Sequence, residues 1–137
     1  MSAATPVTRV FVYGTLRSGS PNPHAVFLAC RCRRLGSARL RGRLFRHGAQ
    51  YAAIHEPDGK KEVVGDVLLL PHRHAGQILE SLDRYEGIGI GIPGPSVFRR
   101  QKVMAVMADG DCLECWAWLF SLPVQGLTEI RSGDALA

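Results

Sequence analysis

The residues whose types best suit chemistry are one carboxylate, Glu86, and one short loop, Tyr13-Gly14-Thr15-Leu16. Ahead of the loop, Val10, Phe11 and Val12 are β-branched or aromatic, as a buried strand prefers. Gly14 frees the backbone for torsions, or for an approach to a ligand, that a side chain would forbid. A loop at the end of a buried strand is a rigid place to hold a small molecule, and its N–H groups can grip a carboxylate or a developing oxyanion. An ordinary strand-to-loop exit is the competing reading. Glu86 closes a helical pattern over His74–Glu86, in which Ala75, Ile78, Leu79, Leu82 and Tyr85 form one apolar stripe. At 100° per residue Glu86 falls about 20° from Ala75, inside that stripe, whereas Glu80 and Asp83 fall toward its outer side. Burial and the negative end of the helix dipole both raise a carboxyl pKa, which is how a carboxylate becomes a proton carrier near neutral pH. If the helix has already ended, Glu86 instead faces water. Loop and acid together suit a single-base reaction on a small anionic substrate.

Other candidates are weaker. Gly14 and Gly19 have the spacing of a phosphate-binding loop, but Ser20-Pro21 stands where Lys-Ser/Thr is needed. Ser18 and Ser20 lack a nucleophile-elbow context. His72 and His74 read as solvated turn residues. Cys30, Cys32, Cys112 and Cys115 form a CxC and a CxxC. The first spacing is unusual for zinc, and in a strand the two cysteines of the second point to opposite faces. Reduced, mostly buried thiols are the expectation, with no metal.

Charge is unevenly spread. Residues 1–55 hold nine arginines and no acid, whereas all twelve Asp and Glu lie in 56–137. Any catalytic carboxylate therefore comes from the second half. Arg31, Arg33, Arg34, Arg39, Arg41, Arg43 and Arg46 crowd together, with Phe45 their only aromatic companion. Stacking on bases is poorly supported, so the run reads as a solvated or anion-attracting strand face and not as a nucleic-acid site.

The elements that position these residues follow from pattern. Asn22-Pro23 caps a short helix over 24–34 that Gly36 ends. Strands are expected over 37–46, 51–55, 62–70 (with Gly65 a bulge), 97–107 and 112–120, besides the opening one. Asp109-Gly110-Asp111 marks a hairpin. Gly87–Pro95 is a glycine-rich apolar loop, either a lid or a surface excursion. The tail from Leu122 onward is weakly structured by sequence. Six strands and two helices give an α+β fold whose sheet curls toward a barrel, in one domain over 1–137 with 1–8 and 132–137 frayed. Hydrophobic residues make up 46% and charged ones 21%, as in ordinary soluble domains. No signal-peptide pattern and no run of membrane-spanning length is present, so a cytoplasmic protein is the expectation.

Phe11-Val12-Tyr13-Gly14-Thr15-Leu16-Arg17, Gly65, Leu82-Asp83-Arg84-Tyr85-Glu86-Gly87, Arg100, Val103 and the closing Ser132-Gly133-Asp134 together resemble the gamma-glutamyl cyclotransferase-like family. The resemblance implies a small, mixed, closed β-barrel flanked by helices. It implies that Tyr13, Gly14, Thr15 and Leu16 line the pocket for a gamma-glutamyl moiety and that Glu86 is the catalytic acid/base. The substrate α-amine would attack its own γ-carbonyl, giving 5-oxoproline and a free amine, with no cofactor. The protein would act as a monomer or homodimer on a small gamma-glutamyl compound. Phe98 and Trp118 stand where tyrosines are common in the family. Should their hydroxyls be needed, the alternative is a non-catalytic small-molecule or protein-binding domain on the same scaffold.

Overall fold

The computed structural model describes residues 7–14, 16–17, 22–48, 50–87 and 97–136. Among these residues seven strands run in the order β1 (Arg9–Val12), β2 (Arg33–His47), β3 (Gln50–His55), β4 (Glu62–Leu69), β5 (Phe98–Met107), β6 (Cys112–Phe120) and β7 (Thr128–Ile130). Helix α1 (Pro23–Arg31) lies between β1 and β2, and α2 (Ala75–Tyr85) between β4 and β5. The ring β2-β4-β1-β6-β5 closes on itself through Ala38↔Met107 and Arg39↔Val106. Among the described residues five strands therefore form the closed α+β barrel, one fewer than expected, while β3 and β7 extend the sheet from the far half of β2. The barrel is mixed because β1 runs parallel to β6 and antiparallel to β4.

β1 is the strand on which both layers of the core converge. Phe11 points into the barrel with Leu40, Val63, Val67, Val103 and Ala117. Val10 and Val12 point outward, to Leu28 of α1 and to Ile78, Leu79 and Leu82 of α2. Burial on both faces explains why Val10-Phe11-Val12 is a continuous apolar run and not an alternation. α2 starts from a 3₁₀ turn over His72–His74, and its buried residues are Ala75, Ile78, Leu79 and Leu82, the stripe expected from the sequence.

Several expectations change. α1 keeps its Asn22 cap, whose side chain accepts a hydrogen bond from the His24 N–H, but it ends at Arg31 and not at Arg34. Cys32 is already extended, and Arg33 and Arg34 enter the ladder with Leu69 and Leu68. Pairing against β4 overrides the helical pattern there, and Gly36 serves a bulge in β2 in place of a helix stop. Gly65 is no bulge: it pairs regularly with Ala38. A Cβ on it would run into the Val12 carbonyl oxygen and come within 2.6 Å of Phe11 Cζ. Residues 1–6 and 137 lie outside the described residues, but the described residues next to them are held by long-range bonds. Thr8 C=O accepts from the Leu70 N–H, and Val7 C=O from the Trp116 indole N–H. β7 pairs with Leu44–Arg46, and the turn after it docks on β4 through the Val64 N–H and the Gly133 C=O. These are long-range backbone bonds, for which the local sequence gives no signal.

The arginine-rich run is likewise resolved by pairing across strands. Arg34 meets Asp66 at 3.0 Å, Arg43 meets Glu56 at 2.8 Å, and Arg39 meets Glu62 at 3.9 Å. Acids from the second half of the chain thus match arginines from the first, because β2 lies between β4 and β3. Of the cysteines only Cys115 is buried; Cys30 and Cys112 are exposed and Cys32 is half-buried, against the expectation of mostly buried thiols. Among the described residues no helix is long and apolar enough to cross a membrane.

The contact at Gly65 gives a direct test of the barrel. Gly65→Ala should overpack Phe11 and push β4 off β1, lowering stability by about 2–3 kcal/mol. A urea titration that leaves the midpoint unchanged would show that this contact does not constrain the barrel.

Candidate functional site

The exit of β1 opens into a small cavity of about 40 Å³, room for a few waters or the head of a compact ligand. Phe11, Val12, Tyr13, Gly14 and Leu16 line one side, Gln50 and Tyr51 another, and Tyr85, Glu86 and Trp118 the rest. The structure therefore brings Tyr13, Gly14 and Leu16 together with Glu86, although more than sixty residues separate them in sequence. Thr15 lies outside the described residues, as do Ser18, Ser20 and residues 88–95 of the glycine-rich loop read as a lid or a surface excursion.

Glu86 is placed by the end of α2. Its N–H reaches the Leu82 carbonyl at 3.0 Å, and Gly87 follows in the left-handed region at φ 80°, which stops the helix. Glu86 thus sits at the last turn, facing the cavity. Burial pushes its carboxyl up to about 7. The apolar and aromatic neighbours supplied by β1, β6 and α2 are the cause, since they replace water around the charged form. Among the described residues, none donates a hydrogen bond to the carboxylate.

Tyr13 plays a different part from that of a free hydroxyl. Its O–H donates to the Trp118 C=O at 2.5 Å, and its oxygen accepts from the Ala53 N–H at 3.4 Å. Burial first, and then the nearby Glu86 charge, push its phenol well above the usual range, so it stays protonated. Tyr13 ties β1 to β6 and β3 and lines the cavity with its ring. Gly14 has no positive φ; what glycine provides there is closeness. A Cβ would lie 3.3 Å from Cβ and Cδ2 of Tyr51. The Gly14 carbonyl accepts from the Arg17 N–H at 3.1 Å, closing the turn, and Leu16 is buried beneath it.

Trp118 and Phe98 separate in the structure. Phe98 is buried in a different cluster with Phe45, Ala52 and Phe120 and is not among the residues lining the cavity. Trp118 lines it, and its indole N–H donates to Asp83 Oδ1 at 2.9 Å. Asp83 also meets Arg100 Nε at 3.1 Å, while the Arg100 guanidinium lies over the Trp116 ring. Asp83, expected on the outer side of α2, is therefore the residue that fixes a cavity wall. Tyr85 is held similarly: Asn22 Nδ2 donates to its hydroxyl at 3.1 Å, and its ring packs on His24. The sequence reading missed Gln50, Tyr51 and Tyr85 as lining residues. Tyr85 could have been found as the neighbour of Glu86, whereas Gln50 and Tyr51 give no local signal because β3 must first fold back.

The barrel fold agrees with the comparisons with known proteins. Residues 10–135 match the family model described as gamma-glutamyl cyclotransferase, AIG2-like, and the chain belongs to that family. Among solved structures, an AIG2-like protein from Mus musculus is 20% identical, with a TM-score of 0.71 over 95% of this chain and 90% of that one. Protein ytfP from Escherichia coli is 27% identical, with a TM-score of 0.61 over 93% and 96%. A structure described as gamma-glutamyl cyclotransferase is 15% identical, with a TM-score of 0.55 over 88% and 68%. No curated protein matches the sequence.

The raised pKa makes Glu86 a stability handle. The folded state holds the Glu86 proton more tightly than the unfolded state does, so this group's contribution is complete below about pH 4.5 and is lost as pH rises through about 7. Glu86→Gln removes the cost of ionising a buried acid. The variant should gain on the wild type between pH 5 and pH 8, by at most about 3 kcal/mol. Parallel urea titrations at the two pH values that show a constant difference would place the carboxylate in water.

Proposed function

We propose that the protein is a gamma-glutamyl cyclotransferase-type enzyme in which Glu86 is the general acid/base. One observation carries this reading: burial brings the Glu86 carboxyl to about 7 inside the cavity at the end of β1. An acid tuned near the working pH has the greatest use in moving a proton both ways. The Glu86 carboxylate takes a proton from the substrate's α-ammonium. The freed amine attacks the γ-carbonyl carbon, and a C–N bond forms to close the five-membered ring. The original amide C–N bond then breaks, Glu86 returns the proton to the departing nitrogen, the ring nitrogen passes its second proton to the same amine, and 5-oxoproline and the amine in its ammonium form leave. Both reacting groups belong to one molecule, so the main task is to hold them in attack geometry. The reading includes no cofactor.

The described lining contains one acid and no cationic side chain. The substrate α-carboxylate, or the oxyanion formed during attack, would then be met by backbone N–H groups at Gly14 and Leu16. The rings of Tyr51, Tyr85 and Trp118 would cover the apolar part of the glutamyl chain and exclude water. The free cysteines fit a reducing compartment, which supports a cytoplasmic location.

The experiment is to incubate the protein with a panel of gamma-glutamyl amines, amino acids and peptides and to measure 5-oxoproline by mass spectrometry. Wild type should form product, and Glu86→Gln should lose about 10²–10⁴-fold in rate while remaining folded. Because the base form is needed, kcat/KM should rise with pH through about 7. Product from Glu86→Gln at the wild-type rate would overturn the assignment.

A further inference from the structure

We propose that the closing turn Ser132–Ala135 is a clamp that sets the site, with Asp134 acting as a positioning residue through Arg17. The clamp is a structural inference; its consequence for catalysis rests on the function proposed above.

Arg17 closes the turn at the exit of β1 and is itself buried, with only 10% of its side chain exposed. Its guanidinium lies between two carboxylates. Asp66 of β4, almost fully buried, stands 3.5 Å from Nε, and Asp134 accepts from Nη1 at 2.7 Å. Arg34 meets the other oxygen of Asp66 at 3.0 Å, so the cluster holds two cations and two anions. The nearer and better-formed contact of Arg17 is the one with Asp134, far away in sequence. A buried arginine needs such partners, and the direction from which they come decides where its backbone sits.

The turn that carries Asp134 is itself fixed. The Gly133 carbonyl accepts from the Val64 N–H at 2.8 Å, and the Gly133 N–H donates to Ile130 C=O. Gly133 has φ 72°, and a Cβ there would run into the Glu62 carbonyl oxygen, so only glycine lets the turn sit this close to β4. The Asp134 N–H donates to Ser132 Oγ, and Asp134 Oδ1 also accepts from the Leu136 N–H at 2.9 Å. The next residue reaches the opposite wall of the cavity: Tyr51 O–H donates to the Ala135 C=O at 3.4 Å. Tyr51 is also the ring against which Gly14 packs. One short turn therefore holds both the Gly14–Arg17 turn and the Tyr51 ring. The sequence triplet Ser132-Gly133-Asp134 acquires a physical role: a hydroxyl to shape the turn, a glycine to fit it, and a carboxylate to reach Arg17.

Asp134→Asn is the informative change, because Arg17 keeps Asp66 and the barrel keeps its core. The turn at Gly14 would hold the substrate in both the ground state and the transition state, so loosening it should appear in KM and leave kcat nearly unchanged. KM should rise about tenfold. Asp134→Glu, which restores the charge, should recover part of the loss. Hydrogen exchange supplies a readout that needs no substrate. The Leu16 and Arg17 amides should exchange at least about tenfold faster in Asp134→Asn, while amides of β1 and β6 keep their wild-type rates. Faster exchange at Leu16 and Arg17 supports the clamp even if no gamma-glutamyl compound is turned over, in which case only the proposed activity falls. Unchanged exchange, or an unchanged KM in an active wild type and variant, overturns the clamp. Faster exchange throughout the barrel also overturns it, because Asp134 would then serve general stability.

Discussion

The structure depends on one strand being covered on every side. β1 has a hydrogen-bonded neighbour at each edge, β4 and β6, and apolar layers on both faces. Its neighbours β4 and β6 share the constraint, each paired at both edges and contributing to both core layers, and the consequences spread outward. Phe11 requires the missing side chain at Gly65. Val10 and Val12 require α1 and α2 to lie across the barrel wall, and Trp118 fills the space beside them. A strand held this firmly ends in a turn whose position is known to within the slack of a few side chains. That is what a site for a small molecule needs.

The acid and the turn are brought together by two different kinds of force. Apolar burial of the Ala75–Leu82 stripe delivers the end of α2 to the exit of β1, and Gly87 stops the helix so that Glu86 comes last. Hydrogen bonds and ion pairs then set the walls. Asp83 holds Trp118, Asn22 holds Tyr85, and Asp66 with Asp134 holds Arg17. The burial that shelters Glu86 also raises its pKa, so the protein bears a local cost for a group that cannot ionise freely. A carboxyl lining a cavity with its pKa raised in this way is what the proposed acid/base role would use.

Charge is arranged on the same plan. An arginine-rich first half and an acid-rich second half would repel within themselves. Antiparallel pairing of β2 with β4 and β3 interleaves them, and the arginines of β2 meet Glu56, Glu62 and Asp66. Of the seven arginines that read in sequence as a basic patch, Arg34, Arg39 and Arg43 form one side of a set of cross-strand pairs. Most of these are exposed and individually weak. The buried cluster at Asp66 is the exception, and it lies where the site turn begins.

The sequence by itself determined the local pieces. The apolar run at Val10–Val12 marks a buried strand, the period of Ala75–Leu82 marks the helix, and Asp109-Gly110 marks the hairpin. It also marked Glu86 as an acid in the wrong place for a surface helix. Each of these is set by neighbours within one or two turns of chain, so composition and period suffice. Tertiary structure alone decided the rest. Arg33–Gly36 became strand because β4 offers a partner, and Gly65 became a packing gap because Phe11 crosses it. Trp118 joined the cavity and Phe98 did not, although both lie on paired strands, because α2 covers one end of the sheet and Phe45 and Phe120 close the other. Asp134 reached Arg17 because β7 returns the chain to β2 and β4. These outcomes depend on contacts between segments tens of residues apart. Such contacts exist only once the barrel has closed, so no local pattern can encode them.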